Sequence, residues 1–264
     1  DLALRDGGAL TGRVVAERRG EASGGLSASL ASWRAEAQIA GDARAIEATG
    51  LTLALGPEDR AAQLTGTARL VLGAEPGLEA TLTARQVEID RLASAEAGRP
   101  AVPAQVARDL VDLLAGVGEA PLPGRLRLEV QGLVVGGGAV QEVTVEAHTR
   151  AGGLALDRFE ARLPGRSRLE ASGRFAFDGG PRFDGRVEVA SEQPASLAGW
   201  WRAEAVGDRL DAVSAAATVS AAPGRLRADD LRLEVARAKA RGHLDWDTAG
   251  ARVGVARSAT PLGP

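Results

Sequence analysis

The two histidines of the chain, His148 and His243, are the first candidates for chemistry. Each stands at a polar position of a stretch that alternates apolar and polar residues, VTVEAHT and GHLDW. A metal site requires converging ligands, and a catalytic triad requires a nucleophile and an acid that orients the base. Neither histidine has such companions in the sequence, so we expect both to face solvent on strands and to be dispensable.

Carboxylates and glycines offer two further candidate sites. Asp229 and Asp230 are adjacent, and Asp245 and Asp247 are separated by one residue, but both pairs stand at expected turns or strand ends, where Asp is common. The triglycine at 136–138 lacks the strand, helix and lysine of a phosphate-binding loop and predicts a turn or bulge. We expect no catalytic residue, no metal and no cofactor, and we predict that the protein is not an enzyme. Asp229 and Asp247 should be dispensable.

The adjacent tryptophans Trp200 and Trp201 are the most notable side chains in a chain with only 3% aromatic residues. One indole is expected to pack in the core. The other is a candidate for contact with lipid at an interface, because an indole combines an apolar body with a polar edge.

Composition argues against several classes of protein. The chain has 264 residues and no cysteine, which excludes disulfides and thiolate metal sites. Its net charge of −3 comes from interspersed charges of both signs, which argues against a nucleic-acid partner. No run approaches the roughly 20 apolar residues that span a membrane as a helix. Because the chain also lacks methionine, we expect a processed chain or part of a longer protein, with any signal or anchor outside it.

Alternation of apolar and polar residues is the main structural signal. It runs through five consecutive segments: residues 125–131, 143–149, 159–163, 169–177 and 183–189. A period of two residues predicts antiparallel strands with one apolar and one wet face. Turns are expected at PGR (164–166) and at DGGP (178–181), where glycine supplies a positive φ and proline fixes its own.

The first third of the chain follows the same pattern less regularly. Residues 1–19 predict a hairpin, and residues 26–33 predict a strand. Residues 34–48 fit either a strand pair broken at Gly41 and Asp42 or a short helix, and we favour the strands. From Leu51 to Ile89 the alternation is regular again.

Two segments have helical spacing instead. Residues 103–116 place Val106, Leu110, Leu113 and Leu114 on one stripe, with Val117 continuing it. Residues 194–203 (PASLAGWWRA) predict a second short helix. Each helix would close an open end or edge of the sheet, or alternatively form a lid over a ligand groove.

An internal repeat underlies the strands. Its three copies begin at Leu51, Phe159 and Leu231, and each has a strand, a turn, a strand containing glycine, a turn and a strand. Such a repeat predicts an elongated sheet that grows by adding hairpins. The repeated glycine, Gly173 in the second copy, predicts a bulge or a close backbone approach that bends the sheet.

The fold class predicted from these signals is all-β and mainly antiparallel. We expect an elongated curved sheet or β-groove built from repeated meander units, with one or two short helices. Residues 1–92 would form meander units, 93–123 a loop and short amphipathic helix, 124–203 a meander repeat ending in a short helix, and 204–264 a further repeat and tail. Together these segments would make one continuous elongated domain.

This combination resembles the AsmA-like family of bacterial envelope proteins. The likeness rests on residues 154–201, 86–92 (QVEIDRL) and 122–130 (LPGRLRLEV), and it covers roughly residues 45–250. Family members carry similar units of a strand, an LPG-type turn, a glycine-containing strand, a strand around FxG and a short helix. They also carry a strand end similar to VEIDRL. The family has no catalytic motif, so no catalytic residue is transferred.

The resemblance implies a periplasmic segment of a protein anchored in the inner membrane. Its β-groove would bind lipid acyl chains and contribute to phospholipid transport and outer-membrane homeostasis. The partners would be a phospholipid or other envelope lipid, and the inner membrane through an anchor that this chain lacks. A second hypothesis is a structural or interaction module, a closed β-sandwich or β-solenoid without lipid binding. The sequence leaves both open, because inward residues look the same in a dry core and in an acyl-chain groove.

The candidate lipid-binding residues are apolar members of the alternating strands together with the tryptophan pair: Leu126, Leu128, Val130, Leu169, Phe175, Phe177, Phe183, Val187, Val189, Trp200 and Trp201. Alternation puts the strand residues on the same side of neighbouring strands. We expect that side to be concave, with Gly173 curving it inward.

Overall fold

The chain forms one long, curved and unclosed β-sheet in a computed structural model that describes residues 2–5, 9–20, 25–93, 100–118, 122–202, 211–236, 238–248 and 250–257. Strands make up 65% of this part, which confirms the all-β prediction. The strands are, in chain order, β1 (Leu2–Arg5), β2 (Ala9–Arg18), β3 (Trp33–Gly41), β4 (Ala45–Leu55), β5 (Ala62–Val71), β6 (Gly77–Glu88), β7 (Gly124–Val135), β8 (Gly138–Arg150), β9 (Gly153–Leu163), β10 (Ser167–Ala176), β11 (Arg182–Ser191), β12 (Val213–Ala222), β13 (Arg225–Val235), β14 (Ala238–Asp247) and β15 (Gly250–Arg257).

The order of the 15 strands in the sheet is their order in the chain. Each strand therefore pairs with its sequence neighbours, as a chain of hairpins requires. Every pair is antiparallel except β6 and β7, which run parallel. A parallel pair needs a long crossover connection. Here the crossover carries two helices, and the sequence patterns did not predict the parallel pair.

Among the described residues, four helices interrupt the strands: α1 (Gly25–Leu30), α2 (Ile89–Ala93), α3 (Pro103–Gly118) and α4 (Pro194–Arg202). The helices predicted at 103–116 and 194–203 are confirmed as α3 and α4, and α3 is the longest of the described helices. The uncertain segment 34–48 forms strands β3 and β4 and their turn, as we favoured.

Two local predictions were wrong. The segment 26–33 was predicted as a strand, but its first part is helix α1, with Leu26 only 1% exposed. Leu26 and Leu30 are four residues apart, a spacing that fits one helix face as well as one strand face. The strand expected through Ile89 ends at Glu88, and Ile89 begins α2.

The two ends of the strands differ. Helix α1 follows β2, α2 follows β6, and α4 follows β11. These three strands all terminate at the same end of the sheet, which we call the capped end. At the opposite end, the open end, β8–β9, β10–β11 and β12–β13 are joined by turns of two to five residues. The helices contact one another, α1 with α2 and α3, and α3 with α4, so they form a single helix cap.

Most of the hydrophobic core lies between the helix cap and strands β5–β9. Its buried side chains are Leu26, Ala62, Leu64, Ala84, Val87, Ile89, Leu92, Val106, Val130, Val135, Val140, Val143 and Ala161. These side chains come from the capped-end halves of the strands and from α1, α2 and α3. The core therefore lies at one end of the sheet and spans five of its 15 strands.

Irregular pairings keep the apolar residues on one side of the sheet, which we call the apolar face. In β4, β9 and β13 the apolar residues step once by three positions instead of two, and the pairing register shifts there: Ala48 to Leu51, Leu156 to Phe159, and Ala228 to Leu231. Because an extra residue reverses the alternation, each bulge also restores the apolar side chains to the same face.

The repeated glycine lies beside each of the bulges in β4 and β9. Gly66 pairs with Leu51, and Gly173 pairs with Leu156. A Cβ at Gly173 would lie 2.5 Å from the carbonyl oxygen of Asp184 on β11, and one at Gly66 would collide with the next strand in the same way. The bulge and the close backbone approach, predicted as alternatives, thus occur together: at Gly173 the bulge is in the pairing with β9, and the close approach is to β11.

Candidate functional site

The predicted strand residues lie on the apolar face. Leu128 pairs with Val145, Val145 with Phe159, Phe159 with Ala171, and Ala171 with Val187. Directly opposite residues share a face, so one continuous row of apolar side chains crosses β7 to β11. The remaining pairs join this face in the same way: Leu126–Ala147, Val130–Val143, Leu169–Val189 and Phe175–Phe183.

Burial divides these residues into two groups. Val130 is 4% exposed and belongs to the core beneath the helix cap, and Leu128 packs against that core. Leu169, Val187 and Val189 are half-buried and lie outside it. Among the described residues, none of strands β10–β15 belongs to the core cluster. The core thus covers the apolar face at the capped end of β5–β9. It leaves open the face of β10–β14, which we call the uncovered half, where Ala228 is the one buried apolar side chain among the described residues.

Three of the four phenylalanines form a cluster at the open end. The ring centroids of Phe175 and Phe183 are 4.9 Å apart at an interplanar angle of 46°, and those of Phe175 and Phe177 are 6.5 Å apart. Tilted rings at this spacing attract one another edge to face. All three side chains remain half-buried, so the cluster has free apolar surface.

Helix α3 carries its apolar stripe beyond the core. Val106 is 7% exposed, but Leu110 and Leu113, on the same side of the helix, are 38% and 36% exposed. The side chain of Val117, predicted on this stripe, lies outside the described residues. The stripe therefore begins in the helix cap and continues over surface that the sheet does not cover.

The two tryptophans of α4 have different surroundings. The Nε1–H of Trp200 donates a hydrogen bond to the carbonyl oxygen of Val135 at 2.8 Å, and its ring packs against the core. Trp201 is 43% exposed. Trp200 therefore packs with the core that contains Val130, apart from the uncovered half of the apolar face.

Asp90, at the start of α2, joins three segments of the cap, and sequence reasoning missed it. Its Oδ1 accepts hydrogen bonds from the backbone N–H of Ala101 at 2.9 Å and of Gly136 at 2.7 Å, and its Oδ2 accepts from Gly137 at 2.8 Å. The signal was present in VEIDRL, where Ile89 and Leu92 flank Asp90 and are buried. This motif fastens the β7–β8 turn to the loop before α3.

The triglycine forms that turn, as predicted. A Cβ at Gly136 would lie 2.5 Å from the ring of Pro103, and one at Gly138 would lie 2.6 Å from the indole of Trp200. Only glycine lets α3 and α4 approach the turn this closely. The role of the triglycine is packing, with no phosphate-loop geometry.

Ion pairs cover the opposite, polar face. Arg127 contacts Glu129 and Glu146, and Arg158 donates to Glu160 at 2.9 Å. The hydrogen bond from Arg158 lowers the pKa of Glu160 below its usual value and raises the pKa of the arginine. These side chains are solvent-exposed, so each pair adds little to stability.

The other residues considered for chemistry lie on this polar face or at turns, but Asp229 and Asp230, expected at a turn or strand end, lie inside β13 at its bulge. We expected no partner for His148, but its Nδ1 is 2.8 Å from Asp157 Oδ2, and Asp229 accepts from Arg227 at 2.8 Å, which raises the pKa of that arginine. Asp247 Oδ1 accepts from the N–H of Gly250 in a turn. These are solvent-exposed contacts without a nucleophile beside them. Within the described ranges no group of three His, Asp or Glu side chains is arranged to hold a metal ion.

A depression of about 380 Å³ also lies on the polar side of β10–β14. Its lining mixes arginines such as Arg168 and Arg232 with glutamates such as Glu170 and Glu188. Charges of both signs alternate along it, so it favours no single class of ligand.

The described helices include none with the length and apolarity needed to cross a bilayer. No protein-family model, curated protein or solved structure matches the chain.

Proposed function

We propose that the protein binds lipid acyl chains on its apolar face and has no enzymatic activity. The observation that carries this proposal is the uncovered apolar face of β10–β14. Five strands at a spacing of about 4.8 Å, each about 33 Å long, make a face of roughly 800 Å². Contiguous apolar patches of this size on a soluble domain usually mark a binding surface.

The chemistry of this face suits an acyl chain. Leu169, Val187, Val189 and Ala215 lie in adjoining cross-strand pairs, and they offer dispersion contacts and no hydrogen-bonding groups. A methylene chain has the same requirements, and each buried CH₂ contributes about 0.8 kcal/mol. The exposed stripe of α3, with Leu110 and Leu113, is a second and separate apolar surface.

The wider role follows from the resemblance to AsmA-like proteins. We propose that the chain is a periplasmic segment of such a protein, anchored in the inner membrane through a part outside this chain. Its ligand would be a phospholipid or another envelope lipid, and its contribution would be to phospholipid transport and outer-membrane homeostasis. The repeated β-units and the open sheet support this proposal.

The alternative is an interaction module whose apolar face is covered by another protein. Its closed β-sandwich form differs from the single unclosed sheet of the described residues. The other form of this alternative is an open apolar face that binds a protein and has no affinity for lipid, and lipid uptake distinguishes it from the proposed function.

Two matched substitutions test the proposal. Val187→Asp puts a carboxylate on the uncovered half of the face, where it can reach water. Val143→Asp puts the same group beneath the helix cap, where valine is 8% exposed and an unpaired charge costs several kcal/mol. We expect the Val187 variant to stay folded with a small fall in melting temperature, and the Val143 variant to unfold or aggregate.

Uptake of a fluorescent fatty acid is measured on the folded proteins. We expect the wild type to take up the probe and the Val187 variant to lose most of that uptake. Retained uptake in a folded Val187 variant would contradict the proposed site, and absence of uptake by the wild type would contradict the function. Unfolding of both variants would show that the face is a closed core.

A further inference from the structure

The uncovered half of the apolar face carries no charge. In the rows from Phe175 at the open end to Leu169 nearer the capped end, every cross-strand pair of β10–β14 joins apolar residues or glycine. The charged side chains of the same strands alternate onto the polar face, where several form ion pairs, such as Arg186 with Glu188. A partner for the uncovered half therefore has no charge to match, and its fit depends on apolar area and shape.

The size of the uncovered half matches that of a protein–protein interface. Its footprint of roughly 800 Å² equals the area of about 800 Å² that each partner contributes to a stable interface. It exceeds the apolar patch of about 300–600 Å² that a soluble monomer usually exposes. Val235 and Trp246 on this face are 36% and 43% exposed, and tryptophan is enriched among the residues that dominate binding energy. The face therefore has the area and an anchor residue that a stable dimer needs.

The side chains of this face are arranged symmetrically about β12, the middle one of the five strands. On this face β12 carries only alanine and valine: Val213, Ala215, Ala217, Val219 and Ala221. Larger apolar residues flank Ala221 in one cross-strand row: Phe175, Phe183, Leu226 and Trp246. A two-fold axis parallel to β12 places this strand opposite its counterpart, and Trp246 of each copy opposite the phenylalanines of the other. The face is thus suited to an interface between identical surfaces.

We propose that the uncovered half binds a second copy of this chain, so that two sheets pack face to face in a symmetric dimer. Twisted sheets pack in this way about 10 Å apart, with their strands within about 30° of each other. Each copy then supplies one layer of a β-sandwich and excludes water from the apolar face of the other. An acyl chain and the second copy need the same surface, so the dimer is the lipid-free form. The dimer goes beyond the proposed function and does not depend on it, and only the competition rests on lipid binding at this face.

Two tryptophans provide a matched comparison, because Trp246 on the uncovered half and Trp201 at the capped end are both 43% exposed. Sedimentation velocity of the 264-residue chain is measured without lipid at increasing concentration. An interface of this size has a dissociation constant of about 1 μM or tighter, so we expect the wild type to be dimeric well below about 100 μM. A symmetric interface contains each substitution twice. Trp246→Ser should therefore raise the dissociation constant of the dimer about 30-fold or more, whereas Trp201→Ser should change it by less than about twofold.

A pair of charge substitutions tests the face directly. Val187 lies on the apolar face of β11 opposite Ala217, and Thr218 lies on the polar face of β12 opposite Arg186. We expect folded Val187→Asp to be monomeric at about 100 μM, because dimerisation would bury two unpaired carboxylates. Thr218→Asp should dimerise like the wild type. Circular dichroism establishes folding, and the tryptophan variants decide the question if Val187→Asp does not fold.

A fatty acid added to the wild-type dimer measures the competition, and we expect its binding to convert dimer to monomer. Three results would overturn the proposal: a wild type that is monomeric up to about 100 μM, equal losses from the two tryptophan substitutions, and dimerisation of folded Val187→Asp. A dimer that takes up no fatty acid would contradict the proposed function and leave the dimer intact. Persistence of the dimer at saturating fatty acid would refute the competition.

Discussion

Asp90 holds the helix cap on the sheet, and its replacement by alanine should loosen the cap. The carboxylate accepts hydrogen bonds from the part-buried amides of Ala101 and Gly136 and from the exposed amide of Gly137. A hydrogen bond to a charged group contributes about 1.5–3 kcal/mol. Water can replace the bond to Gly137, so the two part-buried amides set the expected loss at about 3 kcal/mol. For a chain of this size that corresponds to a fall in melting temperature of about 6–12 °C.

The assay is thermal unfolding followed by circular dichroism and by tryptophan fluorescence. Trp200 donates to Val135 beside the Asp90 contacts, so its emission reports on the cap. Asp112→Ala is the matched control, because Asp112 is exposed on α3 and its side chain makes no hydrogen bond among the described residues. Asp90→Asn should lie between the two, since the amide oxygen can accept from Ala101 and Gly136 while its NH₂ group faces Gly137. If Asp90→Ala melts within about 1 °C of Asp112→Ala, the cap does not depend on this carboxylate.

Two further perturbations address the packing and the pH dependence of single turns. Gly138→Ala should displace α4 and reduce the near-ultraviolet dichroism of the indoles, because the added Cβ would lie 2.6 Å from Trp200, and it should cost about 1–3 kcal/mol. Unchanged spectra and stability would show that α4 tolerates the contact. The backbone N–H groups of Arg44 and Ala45 hold the pKa of Asp42 below its usual 3.8, so its contribution to stability is present above that value and is lost as pH falls through the lowered pKa. Asp42→Ala should therefore be less stable than the wild type at pH 7, with a difference that shrinks only below about pH 3.8, and a difference that does not vary with pH would contradict this.

The strands could be predicted because their information is local. In a strand, successive side chains point to opposite faces, so the face on which a residue lies follows from its immediate neighbours in sequence. The segments 125–131 and 183–189 both form strands, as expected from this alternation. Helices α3 and α4 were predictable for the same reason, since Pro103 and Pro194 mark their first turns. Helix α1 was missed because Leu26 and Leu30 satisfy both periodicities, and packing against the cap decided between them.

The candidate site was predictable only in part, because burial depends on contacts between distant segments. Alternation placed Val130 and Val187 on the same face, but only the position of the helices shows that Val130 is covered and Val187 is not. Asp90 illustrates the same limit. Its partners Gly136 and Gly137 are 46 and 47 residues away, and no local pattern specifies such a pairing. Trp200 packs against the core over a similar distance, 65 residues from Val135.

The single parallel pair explains why the sheet has one capped end. In an uninterrupted antiparallel meander, connections after even-numbered strands lie at one end and those after odd-numbered strands lie at the other. Helices α1 and α2 follow β2 and β6, but α4 follows β11 and would then lie at the opposite end. The parallel pairing of β6 with β7 reverses the direction of every later strand and brings α4 to the end that holds α1 and α2. The crossover through α2 and α3 thus allows Trp200 to meet the β7–β8 turn, and it leaves tight turns and the phenylalanine cluster at the open end.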